Sequence, residues 1–253
     1  MTSPYVNPSL QTVHQLLKTR FNGKNIRIYE AGGGSMSFLQ SSFLDKADVT
    51  VLDIDEIQLK NNCYADKKIL GDIQTYAFPV NSFDLIVCYD VIEHLNAPDE
   101  AIRRFFESLA PNGLLFVGAP NPKSFSGLIT KLTPHWVHVW FYRYILRVNS
   151  AGQPGHVPFR TIFHPIVTPS SLIDFCRKLG FRIVYFKEYQ GDQYSRVREQ
   201  RPFVGILLNA TVSVMNALTL WRRDLKNGNF HIVLEKPADD HVGHQVQSLA
   251  GSA

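Results

Sequence analysis

From Asn25 onward the chain alternates short apolar runs with stretches of helical period, and that alternation dictates a parallel sheet covered by helices. Parallel neighbours cannot be joined by a hairpin; each needs a crossover, usually helical, that buries both faces of the sheet. Strands are predicted at 26–31 (IRIYEA), 48–54 (DVTVLDI), 67–72 (KKILGD), 83–90 (FDLIVCYD), 114–120 (LLFVGAP), 182–189 (RIVYFKEY) and 229–237 (NFHIVLEKP). Helices fit at 36–44, 56–64 and 97–109, the last opening on Asp99 and Glu100 and stopping before Pro111-Asn112-Gly113. Another helix starts at Pro169, with Thr168 as its cap and Gly180 as its stop.

The rhythm breaks after Pro120. Residues 121–168 are rich in Pro, His and aromatics and read as an insertion, while 203–221 read as an apolar helix between the last two strands. The expected organisation is an N-terminal helical segment at 1–24, one domain at 25–237 carrying both additions, and a polar, disordered tail at 238–253. Cys63, Cys88 and Cys176 have no CxxC or Cys/His spacing, which fits neither a disulfide framework nor a zinc site and suggests a reducing, cytoplasmic setting. The first residues, MTSPYVNPSLQTVHQLL, carry no leader-like pattern. A net charge of only +4, with no long basic block, gives no reason to expect a nucleic-acid partner.

The turn after the first strand reads IYEAGGGSMSF, 28–38. Glycines there let backbone approach a ligand, because no Cβ stands in the way. A dinucleotide loop asks for GxGxxG; Gly32 and Gly34 fit, but Ser37 occupies the third position. Glu30 would repel a pyrophosphate and attract an ammonium or sulfonium. Asp53 closes the second strand, where a carboxylate can accept both hydrogens of a ribose diol, and Asp55 reads as a helix N-terminal residue. Asp72, after Gly71, is placed to accept from an exocyclic adenine amine, with Ile73 beside it to pack on the ring. Acids at three successive strand ends describe an adenosine with a positively charged amino-acid tail.

EAGGGS, LDID, GDIQ, SFDLIVCYDVIEHL and LAPNGLLFVGAPNP, in that order, resemble the successive motifs of class I S-adenosylmethionine-dependent methyltransferases. The nearest flavour is the small-molecule group that includes ubiquinone-biosynthesis O-methyltransferases, and the likeness covers roughly residues 24–190 plus the seventh strand. It implies an α/β fold: a Rossmann-like seven-stranded sheet, mostly parallel with the last strand antiparallel, helices on both faces and a helical, aromatic insertion after strand 5. It also implies S-adenosyl-L-methionine as cofactor. Glu30, Gly32 and Gly34 would lie near its methionine part, Asp53 at the ribose, Asp72 and Ile73 at the adenine, and Tyr89 and Asp90 on the floor of the site. Ile54 joins that set. The family's third glycine, two after Gly34, is Met36 here.

A sulfonium methyl is intrinsically electrophilic, so such a protein mainly aligns the acceptor, excludes water and, for oxygen or carbon acceptors, takes a proton. No metal is expected. His94, His156 and His164 are the candidate bases, although any single one of them reads more readily as a structural histidine, in loop solvation or core hydrogen bonding. In PHWVHVWFYRYILR, 134–147, Trp136, Trp140 and Tyr144 suit an apolar acceptor pocket, a membrane interface or a lid over the core. The helix at 203–221 is interrupted by Asn209, Thr211, Ser213, Asn216 and Thr219, so it reads as buried or membrane-facing, not spanning. The expected function is methyl transfer to a small, hydrophobic metabolite, O-methylation favoured, with peripheral membrane contact as a corollary. The alternatives are a catalytically silent partner subunit and an NAD-dependent oxidoreductase.

Overall fold

The computed structural model describes residues 7–153, 156, 158–162, 164–191, 197, 199, 202–218 and 225–238. Seven strands form one sheet: β1 (Ile26–Ala31), β2 (Ala47–Asp53), β3 (Lys67–Leu70), β4 (Phe83–Tyr89), β5 (Leu109–Pro120), β6 (Arg182–Tyr189) and β7 (Asn229–Glu235). Their order is β3-β2-β1-β4-β5-β7-β6, with β7 antiparallel to both β5 and β6. The remaining neighbours pair in parallel, as expected for an α/β fold of this kind.

Because side chains alternate across a strand, each strand feeds two cores. Ile28, Val51, Leu85, Val87 and Phe116 pack on one face against Val13, Leu17 and Phe21 of α1 (Pro8–Phe21) and Leu59 of α3 (Glu56–Asn61). Tyr29, Leu52, Ile86, Cys88 and Val117 pack on the other against Ile102 and Phe105 of α4 (Pro98–Ser108) and Leu172 and Cys176 of α7 (Pro169–Leu179). Of the three free cysteines, Cys88 and Cys176 are buried, whereas Cys63 is exposed.

Three elements depart most from their predicted bounds, each with a local hydrogen-bonding pattern at the shifted end. The helix at 36–44 shrinks to α2 (Ser41–Leu44), because the Ser37 hydroxyl accepts from Leu39 N at 3.0 Å and donates to Glu30, holding 36–40 open. The helix at 56–64 ends at Asn61, since the Asn62 amide oxygen captures the backbone N–H groups of Tyr64 and Ala65 at 3.1 and 3.0 Å. β5 starts five residues earlier than 114, where Asn112, at φ 61°, donates its backbone N–H to Lys236 O at 2.7 Å and Gly113 O accepts from Lys236 N at 3.0 Å.

The insertion carries α5 (Phe125–Leu132), α6 (His135–Tyr144) and a 3-10 turn, Pro165–Val167. The late apolar helix is α8 (Pro202–Leu218), and Val212 and Met215 on it pack against Phe125 of α5. Residues 219–221 of its predicted extent, 1–6 of the N-terminal segment and 239–253 of the tail lie outside the described residues. No described helix is long and apolar enough to cross a membrane.

Candidate cofactor and acceptor site

In an open α/β sheet the ligand crevice lies beyond the carboxyl ends of the strands, where the strand order reverses. Here that point is between β1 and β4, both paired in parallel with β1 carrying β2 on its other side. The glycine turn sits there. Gly32 has φ 68° and Gly34 φ 52°, a region that ordinary side chains avoid, and a Cβ on Gly32 would come within 2.7 Å of the Val91 side chain. Met36, at the position of the absent third glycine, is not among the residues with positive φ and is 75% exposed. The turn therefore closes without a glycine at 36.

Glu30 lies beneath this turn, only 2% exposed. Its two carboxylate oxygens accept from the Ser37 and Tyr64 hydroxyls. Burial pushes the Glu30 carboxyl above the usual carboxylate range, and those two donors oppose the push. One strand over, Asp53 Oδ2 accepts from Gly34 N at 2.9 Å and Oδ1 from Asp55 N at 2.8 Å, so the second acid also ties down the loop. Burial raises its pKa against the pull of those backbone donors. Asp55 caps α3, accepting from Ile57 N and Gln58 N. Gln58 and Asn62 reach back to the loop, to Ser35 Oγ and Gly34 O at 2.7 Å each.

Asp72 follows β3 and forms a turn, accepting from Gln74 N at 2.8 Å and from the Gln74 side-chain amide at 3.0 and 3.1 Å. Ile73, expected beside the adenine, is 6% exposed and belongs to the core that holds Tyr29 and Leu52. The apolar surface beside the acids comes from Ile54, which is 75% exposed.

On the other side of the crevice the Tyr89 ring, at the end of β4, stacks on Phe38 with centroids 3.8 Å apart. Gly118 makes room for it, since a Cβ there would lie 2.6 Å from the Tyr89 ring. The Tyr89 hydroxyl lies 3.2 Å from His231 Nε2, which Tyr189 OH also meets at 2.8 Å; His231 Nδ1 meets Ser9 Oγ at 2.9 Å. His231 is fully buried, and burial, followed by the charge of His14, pulls its pKa down to about 4, so the ring is neutral. Asp90, exposed, takes φ 54° and donates its N–H to Gly118 O at 2.8 Å.

His94 is half-buried, its Nδ1 2.9 Å from Arg160 O of the insertion and its pKa lowered by burial. The preceding Glu93 is buried, and its Oε2 has no hydrogen-bond partner among the described residues. Burial and the charge of Asp90 hold its carboxyl well above the usual range. His164 Nδ1 accepts from Ile166 N at 3.4 Å at the head of the 3-10 turn, and His156 is exposed. Trp136, Trp140 and Tyr144 are 69, 50 and 56% exposed on α6, a helix that buries no residue, so they form an outward-facing surface and not an enclosed pocket. A groove of about 870 Å³ between α1 and β6, lined by Gln15, Arg20, Leu114, Arg182 and Glu235, opens at the amino end of β5 and β6, away from this site.

Ser37, Tyr64, Glu93 and His231 escaped the sequence reading. His231 alone carried a visible signal, as a polar letter inside the otherwise apolar NFHIVLE.

Residues 29–117 match the family model described as a methyltransferase domain. The chain is 28% identical over 151 residues to a ubiquinone biosynthesis O-methyltransferase of Psychrobacter cryohalolentis, covering 55% of this chain and 54% of the relative. It is 26% identical over 171 residues to the enzyme of the same name from Psychrobacter arcticus, covering 63% and 59%. The chain thus spans a little over half the length of the curated relatives it matches. Among solved structures, an S-adenosylmethionine-dependent methyltransferase from Methanosarcina mazei superposes with TM-score 0.52 at 15% identity, over 88% of this chain and 98% of that one. The [4+2]-cyclase SpnF superposes with TM-score 0.55 at 16% identity, over 90% and 80%. Likeness at such identities establishes the fold alone.

Proposed function

We propose that this chain is a class I S-adenosylmethionine-dependent methyltransferase that transfers a methyl group to a small, hydrophobic acceptor, with oxygen as the favoured acceptor atom. The observation that carries the reading is Glu30: a buried acid, in no ion pair among the described residues, at the switch point of the sheet beneath a glycine turn. A buried carboxylate lacking a cation is costly, and a ligand ammonium offsets that cost.

The residues present fit the cofactor. Glu30, Asp53 and Asp72 lie at the ends of adjacent strands about 4.8 Å apart, suiting an elongated ligand laid across β1, β2 and β3. In this reading Glu30 faces the amino-acid tail, Asp53 the ribose hydroxyls and Asp72 the adenine edge, with Ile54 as apolar cover. When bound, S-adenosylmethionine supplies a methyl group already activated on a sulfonium. The work left to this chain is alignment and water exclusion, for which the stacked Phe38 and Tyr89 form a floor. His94 would take a proton from the acceptor, its neutral form favoured by burial.

The hydrophobic class of acceptor is supported by the exposed Leu128, Leu132, Trp136, Trp140, Ile206 and Leu207 of α5, α6 and α8. These side chains would serve as a lipophilic entrance or a peripheral membrane contact. The O-methyltransferase names of the partial relatives favour oxygen.

Two experiments test the proposal. Calorimetric titration with S-adenosylhomocysteine should show binding to the wild type and a large loss in Glu30→Gln. Incubation with S-adenosylmethionine and a panel of alkylated phenols and catechols should yield products heavier by one methylene. Absence of cofactor binding would favour the catalytically silent partner subunit, and absence of cofactor binding together with binding of NAD would favour an oxidoreductase.

A further inference from the structure

Building on the cofactor reading, we propose that Tyr64 and Ser37 are positioning residues that hold Glu30 ionised beneath the glycine turn, and that affinity for the amino-acid tail depends on them while affinity for the adenosine part does not.

The geometry is a two-donor clamp. Tyr64 OH reaches Glu30 Oε2, Ser37 Oγ reaches Glu30 Oε1, and Tyr64 OH also lies 3.3 Å from Gly33 O. A phenol has one proton to give, and the carboxylate is the nearer and stronger acceptor. Ser37 is oriented independently: its oxygen accepts from Leu39 N at 3.0 Å, which leaves its proton for Glu30. Tyr64 is anchored through its backbone N–H to Asn62 Oδ1 at 3.1 Å, and the same Asn62 donates to Gly34 O. The clamp and the glycine turn are therefore one unit.

Gly33 shows how close the unit is. A Cβ there would lie 2.9 Å from both Glu30 Cβ and the Tyr64 oxygen. Residue 33 is glycine because the clamp occupies the space beneath it, a demand separate from any ligand approaching from above. Ser37 reaches Glu30 because residues 36–40 stay out of the helix; with Met36 exposed, the chain runs open to α2.

Among the described residues no cation pairs with Glu30. Asp53 ends β2, Asp72 follows β3 and Asp90 follows β4, all of them acids, while the Lys68 ammonium on β3 is bonded to Asn62 O. Burial disfavours the charged form of Glu30, and the Tyr64 and Ser37 bonds oppose it. With both donors in place Glu30 meets a ligand ammonium already charged and fixed, so less ordering is required on binding.

The test compares two ligands of wild type, Tyr64→Phe and Ser37→Ala by calorimetry. S-adenosylhomocysteine carries the ammonium; 5′-methylthioadenosine keeps the nucleoside and lacks the tail. Tyr64→Phe should weaken S-adenosylhomocysteine about tenfold and 5′-methylthioadenosine less than about twofold, the loss of one hydrogen bond to a charged group. In a Glu30→Gln background the further effect of Tyr64→Phe should vanish. Equal losses for both ligands would mean that Tyr64 only supports the fold, and no loss for either would mean that the clamp is idle; each overturns the inference. Should Glu30→Gln fail to fold, the ratio of the two losses in Tyr64→Phe still decides. A wild type that binds neither ligand would refute the cofactor reading itself, a distinct result.

Discussion

Buried titratable groups set the behaviour of single residues. His231 is neutral in the fold with a pKa near 4, below its ordinary value of 6.5. The unfolded chain therefore binds more protons between those values, and the stabilisation is complete above pH 6.5 and lost as pH falls toward 4. His231→Gln should flatten that acid limb by on the order of 3 kcal/mol in denaturant melts at pH 7 and pH 4. Glu93 works in the opposite sense. Its carboxyl stays protonated in the fold at pH values where the unfolded chain has ionised, so stability declines as pH rises above the ordinary carboxylate value. Glu93→Gln should melt higher than wild type at pH 8 and coincide with it near pH 4; an unchanged difference across that range would refute the protonated assignment. The acids at the strand ends were legible in the sequence because each closes an apolar run next to a glycine or a turn. Ser37 and Tyr64 were not, since they meet Glu30 from seven and thirty-four positions away and no periodicity marks such a meeting.

Elements were legible where a local rule fixes their ends. α7 begins with Thr168 accepting from Ser171 N and stops at Gly180, which takes φ 107°, and both were readable as letters. Gly180→Ala should cost roughly 1–2 kcal/mol, because the left-handed conformation penalises a Cβ. A ring atom of Phe106 at 3.3 Å from the new methyl leaves little room for relief. The thermal midpoint should drop by roughly 2–8 °C, while cofactor affinity, which depends on the far end of the sheet, should hold. The helices at 36–44 and 56–64 were overextended because side-chain hydrogen bonds from Ser37 and Asn62 outcompeted helical bonds that the apolar pattern favoured. Both misreadings border the glycine turn, where local preference yields to the shape of a site.

Across the whole molecule, charge and apolar exposure are segregated in a way that neither property alone reveals. Between residues 121 and 173 the chain has Lys123, Lys131, Arg143, Arg147 and Arg160 and no Asp or Glu, although the entire protein carries a net charge of only +4. The cationic excess is therefore located in the segment that also exposes Leu128, Ile129, Leu132, Trp136, Trp140 and Tyr144. α8, packed on α5 through Val212 and Met215, adds exposed Phe203, Ile206, Leu207 and Val214 without a charged residue. Aromatic and aliphatic side chains among cations suit a surface that is apolar below and anionic above, as at lipid headgroups. On this account the protein should sediment with vesicles containing phosphatidylglycerol and much less with phosphatidylcholine alone, and added salt should reduce the difference as headgroup attraction is screened. Replacing Trp136 and Trp140 with Ser should abolish sedimentation while S-adenosylhomocysteine binding persists, because both side chains are at least half exposed on a helix that buries no residue. Equal binding to both vesicle types, or none, would leave the apolar face to a lipophilic acceptor passing from solution, and the cationic excess without a role in docking.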